Sequence, residues 1–121
     1  MHSKGLIHRE IRGGNIIVVE QGSLQVKLID FDMVEKVDSE KKSFQILLPF
    51  LTPPEIYTHK DYTQKLDIWS VGALMYVLLC GRVPFDGNDN EEVMFKVLDG
   101  TVDFYYYPWP FVSDDAKDLI S

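Results

Sequence analysis

Short apolar runs broken by turns occupy residues 6–29, where the runs are GLIH, NIIVV and LQVKLID. Enrichment in Ile and Val, together with the glycine-containing connection QGS at residues 21–23, is typical of small strands. We therefore predict short strands here, with the last two forming a hairpin. From Asp32 to Phe50 the periodicity is lost and charges accumulate, which predicts a long surface segment of the kind that is functional or mobile in compact domains.

Helical signals dominate the rest of the chain. Pro54 can open a helical turn that continues through Tyr57, and the next helix is expected from Lys65 to Cys80 with Gly81 as its stop. Because this helix is apolar nearly all round, we expect burial on most of its faces. Strands first and helices afterwards predict an α+β fold that is mainly α.

Two further helices have sequence signals at their starts. Asn88 followed three residues later by Glu91 resembles a capping box. Ser113 is expected to cap a last helix, whose first acids suit the positive N-terminal end. The helix that follows the capping box has one predicted apolar face, formed by Val93, Met94, Val97 and Leu98.

Composition and charge narrow the functional classes. The chain has 121 residues, of which 45% are hydrophobic, as in a globular domain rather than a disordered or fibrous segment. Its formal net charge is -7 at pH 7. Binding a phosphate backbone requires clustered Lys and Arg, so no nucleic acid is expected as a partner.

Cysteine usage and hydropathy bear on location. Cys80 is the single cysteine, so we expect no internal disulfide, a small buried side chain and a cytoplasmic or otherwise intracellular location. The most apolar run, Ile68 to Cys80, is shorter than the roughly 20 residues that a membrane span needs, and we do not expect MHSKGLIHRE to act as a signal peptide because it has no apolar core. His2 and His59 have no partners at metal-ligand spacing and are expected at the surface.

Several segments, taken together and in order, resemble the C-terminal lobe of a eukaryotic Ser/Thr protein kinase. They are MHSKGLIHREIRGGN, KLIDFD, PPE, LDIWSVG, GRVPFDG and PWPFVSDDAKDLI. The last is most similar to the calcium/calmodulin-dependent and calcium-dependent kinase group. The resemblance implies a truncated kinase C-lobe over residues 1–121, with short strands carrying the catalytic and metal-binding loops, then a helical bundle around one buried helix. The N-lobe, the last helices and the arginine that pairs with Glu55 in the family are expected to lie outside the chain.

The implied chemistry is phosphoryl transfer from ATP to Ser or Thr hydroxyls, which needs in-line positioning, Mg²⁺ and a proton acceptor. Glu10 stands where the family has its catalytic Asp, and Arg12 stands where it has Lys. Asn15 and Asp30 keep the positions of the magnesium ligands, and Ile17 corresponds to the floor beneath the adenine. ATP and Mg²⁺ are therefore the expected cofactors, provided that an N-lobe is supplied.

The resemblance also marks departures at positions that the chemistry uses. Glu10 is longer than Asp by one methylene, and a misplacement of ~1 Å can lower a rate on the order of 100-fold. Gly13 and Gly14 replace Pro and Glu and should loosen the loop. Asp32 replaces the glycine of the metal-binding triplet. The substrate platform has lost its Gly, Thr and Tyr to Leu47, Leu48 and Leu51.

Other positions are implied to be structural or regulatory. Asp67 resembles the helix residue that accepts backbone hydrogen bonds from the catalytic loop. His8 and Phe31 resemble members of an apolar stack that links the lobes, and Arg9 resembles the arginine that receives an activation-loop phosphate. The candidate phosphate acceptors are Ser39 and Ser43.

Two functions follow as the main alternatives. The first is a protein-kinase-like domain fragment that is itself expected to be inactive, although its family transfers phosphate to protein substrates. The second is a pseudokinase that serves as a binding or scaffold module for a protein partner. An independent small domain with a new function is a third. Glycine-rich and lysine motifs immediately upstream of Met1 would identify the chain as part of a complete kinase domain.

Overall fold

Two small antiparallel strand pairs form the N-terminal part of the computed structural model, which describes residues 1–40 and 44–121. β1 (Leu6–Ile7) pairs with a later strand, whereas β2 (Ile16–Val18) and β3 (Val26–Leu28) pair with each other. Gly22 in their connection has φ 82°, a left-handed conformation that glycine adopts without steric cost. The predicted hairpin is confirmed.

The partner of β1 is β4 (Glu35–Lys36), which lies inside the segment predicted to be irregular. Its charged sequence has no strand pattern, and its conformation comes from the backbone pairing with β1 and from burial of Glu35. A 3-10 turn, Pro49–Leu51, also lies in that segment. Local pattern misses both because tertiary contacts create them.

The helices are α1 (Pro54–Tyr57), α2 (Lys65–Cys80), α3 (Asn90–Asp99) and α4 (Asp114–Ile120). The predicted limits of α1 and α2 are confirmed. Gly81, at φ 72°, ends α2 and donates its N–H to the carbonyl of Val77 at 2.8 Å. Ser113 caps α4 as predicted, accepting the N–H of Ala116 at 3.3 Å.

The predicted start of α3 is wrong by one residue. Its N-cap is Asp89, whose carboxylate accepts the N–H of Glu92 at 2.9 Å. Glu92 accepts the N–H of Asn88, the residue before the N-cap, at 2.8 Å, so the capping interactions resemble a capping box that begins one position later than the sequence indicated. The predicted apolar face also differs, because Val97 is buried while Leu98 is exposed.

The prediction that α2 is buried on most faces is wrong for the described residues. Its buried positions form one stripe that includes Leu66, Asp67 and Tyr76, whereas Leu78 is 74% exposed. The helix packs on α4 and the Pro49–Leu51 turn, and these neighbours cover one side. Cys80 is half-buried rather than buried. An apolar sequence favours burial of the helix, but only the faces that contact other elements are buried.

Two groups of buried side chains stand out in the core of the described residues. Ile7, Tyr62 and Leu66 join β1 to the start of α2. Tyr76 and Trp109 form the second, with ring centroids 4.7 Å apart. Within residues 1–40 and 44–121, no helix is both long and apolar enough to cross a bilayer.

Candidate active site

The carboxylate of Asp67 anchors the start of residues 8–15, the segment expected to be the catalytic loop. Its Oδ2 accepts the backbone N–H of His8 at 2.8 Å, and its Oδ1 accepts that of Arg9 at 2.9 Å. His2, which was expected at the surface, has a side chain that is 35% exposed, and it donates from Nε2 to Oδ2 of Asp67 at 2.6 Å. Helix α2 therefore positions the loop through one buried side chain.

The imidazole of His8 links that segment to residues 29–32, where the metal-binding loop is expected. Its Nε2 lies 3.1 Å from the carbonyl oxygen of Ile29, and its Nδ1 accepts the N–H of Glu10 at 3.3 Å. A carbonyl only accepts and a backbone N–H only donates, so the two contacts match the tautomer with its proton on Nε2. The ring also contacts that of Phe31 edge-on at 5.4 Å, which brings together the two residues expected in one apolar stack.

Glu10 is paired with Arg12. Nε of the guanidinium donates to Oε1 of the carboxylate at 3.0 Å. A general base must reach the proton that it abstracts, and this contact directs one oxygen of Glu10 towards a cation in its own loop. The residue expected as base and the residue expected to hold the phosphate therefore bind each other.

Asn15 connects the two loops and is buried. Its side-chain Nδ2 donates to the backbone carbonyl of Glu10 at 2.9 Å. The backbone carbonyl of Asn15 accepts the N–H of Ile29, also at 2.9 Å. Because the amide nitrogen is used as a donor, Oδ1 is the atom left to face a cation. An amide oxygen and a nearby carboxylate match the oxygen ligands that Mg²⁺ prefers.

Asp30 is the residue that follows Ile29 in the chain, and it is exposed. Its Oδ1 accepts the backbone N–H of Asp32 at 3.4 Å. Asp30 has φ 64° and Arg9 has φ 70°, left-handed conformations that side-chain-bearing residues rarely adopt. Both loops thus contain one residue in a conformation that costs energy and that is often found at functional sites.

The segment expected to form the substrate platform lies against the catalytic loop. A cavity of about 40 Å³ is lined by Glu10, Arg12 and Leu48 among others. The nearby Thr52 is buried and donates its hydroxyl to the carbonyl of Leu48 at 3.2 Å, so it does not replace the lost threonine. Leu51 is buried, and its carbonyl accepts the hydroxyl of Ser70 at 3.1 Å.

Arg9 has a buried acidic partner that sequence reasoning missed. Its Nη1 lies 3.0 Å from Oε2 of Glu35. Glu35 falls within a charged segment predicted to be exposed, so the sequence carried no signal for this pairing. Of the candidate phosphate acceptors, Ser39 is exposed and donates to the carbonyl of Lys36 at 2.8 Å, and Ser43 lies outside the described residues.

Two further expected residues lie in α1 and β2. Glu55, in α1, lines an open groove of about 690 Å³ together with Trp69 and Phe85. Ile17, in β2, is exposed, and its side chain is therefore available to a ligand.

Comparison with known proteins identifies the relatives of the chain. The protein kinase domain family matches residues 1–121. Calcium-dependent protein kinase 5 of Plasmodium falciparum (isolate 3D7) is 39% identical and the match covers 98% of this chain, and serine/threonine-protein kinase DCLK1 of Rattus norvegicus is 41% identical over 100% of it. The twitchin kinase region from C. elegans superposes with a TM-score of 0.90 over 99% of this chain, at 29% identity.

The chain spans a minor part of each of these proteins. It covers 21% of the Plasmodium kinase, 29% of the rat kinase and 22% of the twitchin region. The fold and the family therefore rest on a match along the whole chain, whereas the activity of a complete domain depends on residues beyond it.

Proposed function

This chain belongs to the protein kinase family, and on that premise we propose that it is the C-lobe part of a Ser/Thr protein-kinase-like domain that binds ATP and Mg²⁺ and transfers phosphate weakly or not at all. The assignment of residues 1–121 as a partial domain is part of the proposal, and the N-lobe is supplied from outside the chain. A protein is the expected substrate or partner, and an intracellular location stays a prediction.

The contact between Glu10 and Arg12 carries the weak-transfer part of the proposal. Nε of Arg12 lies 3.0 Å from Oε1 of Glu10, and that oxygen must be released before it can accept a proton from a substrate hydroxyl. Glu10 also places its carboxylate one methylene further from the backbone than Asp does. Catalysis of phosphoryl transfer depends mainly on positioning, so both features lower the rate.

Nucleotide and metal binding is supported by better-preserved residues. Oδ1 of Asn15 and the carboxylate of Asp30 would hold Mg²⁺, with Ile17 beneath the adenine. When bound, Mg²⁺ neutralises the charge of the phosphates. The hydrogen bond from the backbone N–H of Ile29 to the backbone carbonyl of Asn15, at 2.9 Å, keeps the two loops that carry the expected ligands adjacent. This part of the site therefore does not depend on the side chain of Glu10.

A binding or scaffold function is the second candidate. The observation that favours it is the apolar character of the platform, where Leu47 and Leu48 are exposed beside the catalytic loop. Leu48 occupies the position of a threonine that bridges the base and the lysine in the family. A surface without that hydroxyl can still bind a protein segment, although it does not help to align a reacting group.

The test uses the natural polypeptide that carries this chain together with its N-lobe. We expect Mg²⁺-dependent ATP binding by calorimetry, and a loss of about tenfold or more in that affinity for Asp30→Ala, by removal of one of few metal ligands. Asp38→Ala is the matched control, because Asp38 is exposed in the same part of the chain. The melting temperature of both variants should stay near that of the wild type.

Two outcomes would change the conclusion. Transfer to a Ser/Thr peptide library at the 1–100 s⁻¹ of ordinary kinases, abolished by Asp30→Ala, would overturn the weak-transfer proposal. Absence of Mg²⁺-dependent nucleotide binding would overturn the cofactor assignment and leave the scaffold function.

A further inference from the structure

Arg9 and Glu35 form an ion pair inside the protein. Nη1 of the guanidinium lies 3.0 Å from Oε2 of the carboxylate, and the two side chains are 0% and 1% exposed. A buried charge that loses its partner is strongly destabilising. The two residues lie beside one strand pair, since Arg9 follows β1 by two residues and Glu35 belongs to β4.

A tyrosine hydroxyl and two aromatic rings surround the pair. The hydroxyl of Tyr62 lies 3.1 and 3.0 Å from the two oxygens of Glu35. Burial, and then this hydrogen bond to Glu35, raise the pKa of Tyr62, so the hydroxyl remains a donor at neutral pH. The guanidinium of Arg9 also lies over the rings of Phe44, at 5.2 Å, and Tyr62, at 5.8 Å.

We propose that Glu35 is a permanent internal counter-ion that takes the place of the phosphate which the kinase resemblance assigns to Arg9. The regulatory meaning of this proposal rests on the proposed function. A phosphate would bind Arg9 through charge-assisted hydrogen bonds to the guanidinium. Oε2 of Glu35 already forms an ion pair with Nη1 at 3.0 Å, and it is covalently fixed to the chain.

The ion pair between Arg9 and Glu35 also helps to position the catalytic loop. The backbone N–H of Arg9 is held by Asp67 at 2.9 Å, while its side chain is held by Glu35. The same residue therefore joins β4, the catalytic loop and α2. With the counter-ion built in, this junction forms without phosphorylation, and modification of Ser39 is not required to assemble it.

The experiment removes the charge of Glu35 and offers phosphate in its place. Glu35→Gln keeps the shape and an acceptor for Tyr62, and Glu40→Gln is the control because Glu40 is exposed in the same region. Thermal melts are recorded with increasing inorganic phosphate against sodium chloride at matched ionic strength. We expect Glu35→Gln to lose on the order of 10 °C in chloride and to regain part of it in a saturable way with phosphate.

The wild type and Glu40→Gln should show only the small, non-saturating response that excluded anions give any protein. The double variant Arg9→Met, Glu35→Gln should also lack the saturable response, which assigns it to the guanidinium. If Glu35→Gln does not fold in chloride, folding upon phosphate addition supports the proposal and failure to fold overturns it.

A saturable phosphate response of the wild type that Arg9→Met removes would overturn the proposal, because Arg9 would then be open to anions despite Glu35. An equal response of the wild type and Glu35→Gln would overturn it as well. No nucleotide is present in these melts, so a negative result leaves the outcome of the ATP-binding experiment unaffected.

Discussion

The backbone N–H of His8 lies 2.8 Å from Oδ2 of Asp67, although the two residues are 59 positions apart in the chain. Asp67 is buried in α2, which is the longest helix of the described residues. A rigid element therefore sets the position of the catalytic loop. The altered residues of that loop, including Gly13 and Gly14, lie beyond this anchor. Under the proposed function, the loop therefore keeps its position although these residues differ from the family pattern.

Replacing Asp67 with Ala should lower the free energy of unfolding by about 3 kcal/mol, because two buried backbone N–H groups would lose their acceptor. Equilibrium unfolding in urea measures the change. Asp118→Ala is the control, since Asp118 is exposed on α4 and should stay within about 0.5 kcal/mol of the wild type. Equal effects of the two substitutions would show that the anchor contributes nothing to stability.

Periodic segments with clear ends could be predicted from the sequence. Helix α2 ends at Cys80 as expected because Gly81 adopts the left-handed conformation there, and this requirement is readable from a single residue type. The catalytic-loop residues were found through resemblance, whose motifs retain order and spacing. Their arrangement around Asn15 follows from the hairpin formed by β2 and β3.

Long-range polar pairing could not be predicted. His2 binds Asp67 across 65 positions, and Arg9 binds Glu35 across the β1–β4 pair. A charged residue in a charged segment favours exposure by default, and only the folded backbone shows that Glu35 faces a buried arginine. The N-cap of α3 was predicted at Asn88 instead of Asp89 for a local reason. Asn and Asp are about equally good capping residues, so the sequence alone does not distinguish between them.

Trp109→Ala should destabilise the protein by about 3–5 kcal/mol. The side chain of Trp109 is 0% exposed, and its ring lies 4.7 Å from that of Tyr76 and 4.8 Å from that of Phe104. Tyr105→Ala is the matched aromatic control, because Tyr105 is 92% exposed and should change stability by no more than about 0.5 kcal/mol. Chemical denaturation of both variants distinguishes a packed aromatic cluster from a merely aromatic segment.

Glu92 should titrate at unusually low pH. Hydrogen bonding from the backbone of Asn88, and then from the side chain of Lys96, lowers its pKa from the ordinary 4.5 to about 2. A carboxyl group whose pKa is lower in the folded state stabilises that state above the unfolded pKa. This contribution should therefore be complete above pH 4.5 and disappear as the pH falls to 2.

Carboxyl chemical shifts measured by NMR across that range report the pKa of Glu92 directly. Glu92→Gln should make the unfolding free energy less dependent on pH between 4.5 and 2, whereas Glu91→Gln, at an exposed neighbour, should leave the dependence unchanged. A titration midpoint of Glu92 near 4.5 would contradict the prediction.

Restoring the catalytic loop should raise the transfer rate of the complete domain. Glu10→Asp combined with Arg12→Lys shortens the carboxylate and removes the guanidinium that now binds it at 3.0 Å. A correction of ~1 Å in the position of the base corresponds to a gain on the order of 100-fold. The readout is the initial rate of phosphate transfer from ATP to a Ser/Thr peptide library, with ATP affinity measured in parallel because Asn15 and Asp30 are untouched.

Glu10→Gln, which cannot act as a base, is the control for any residual rate. If the double substitution leaves both the rate and the affinity unchanged, then the block lies elsewhere, and Leu48→Thr is the next substitution because it returns the missing hydroxyl to the platform.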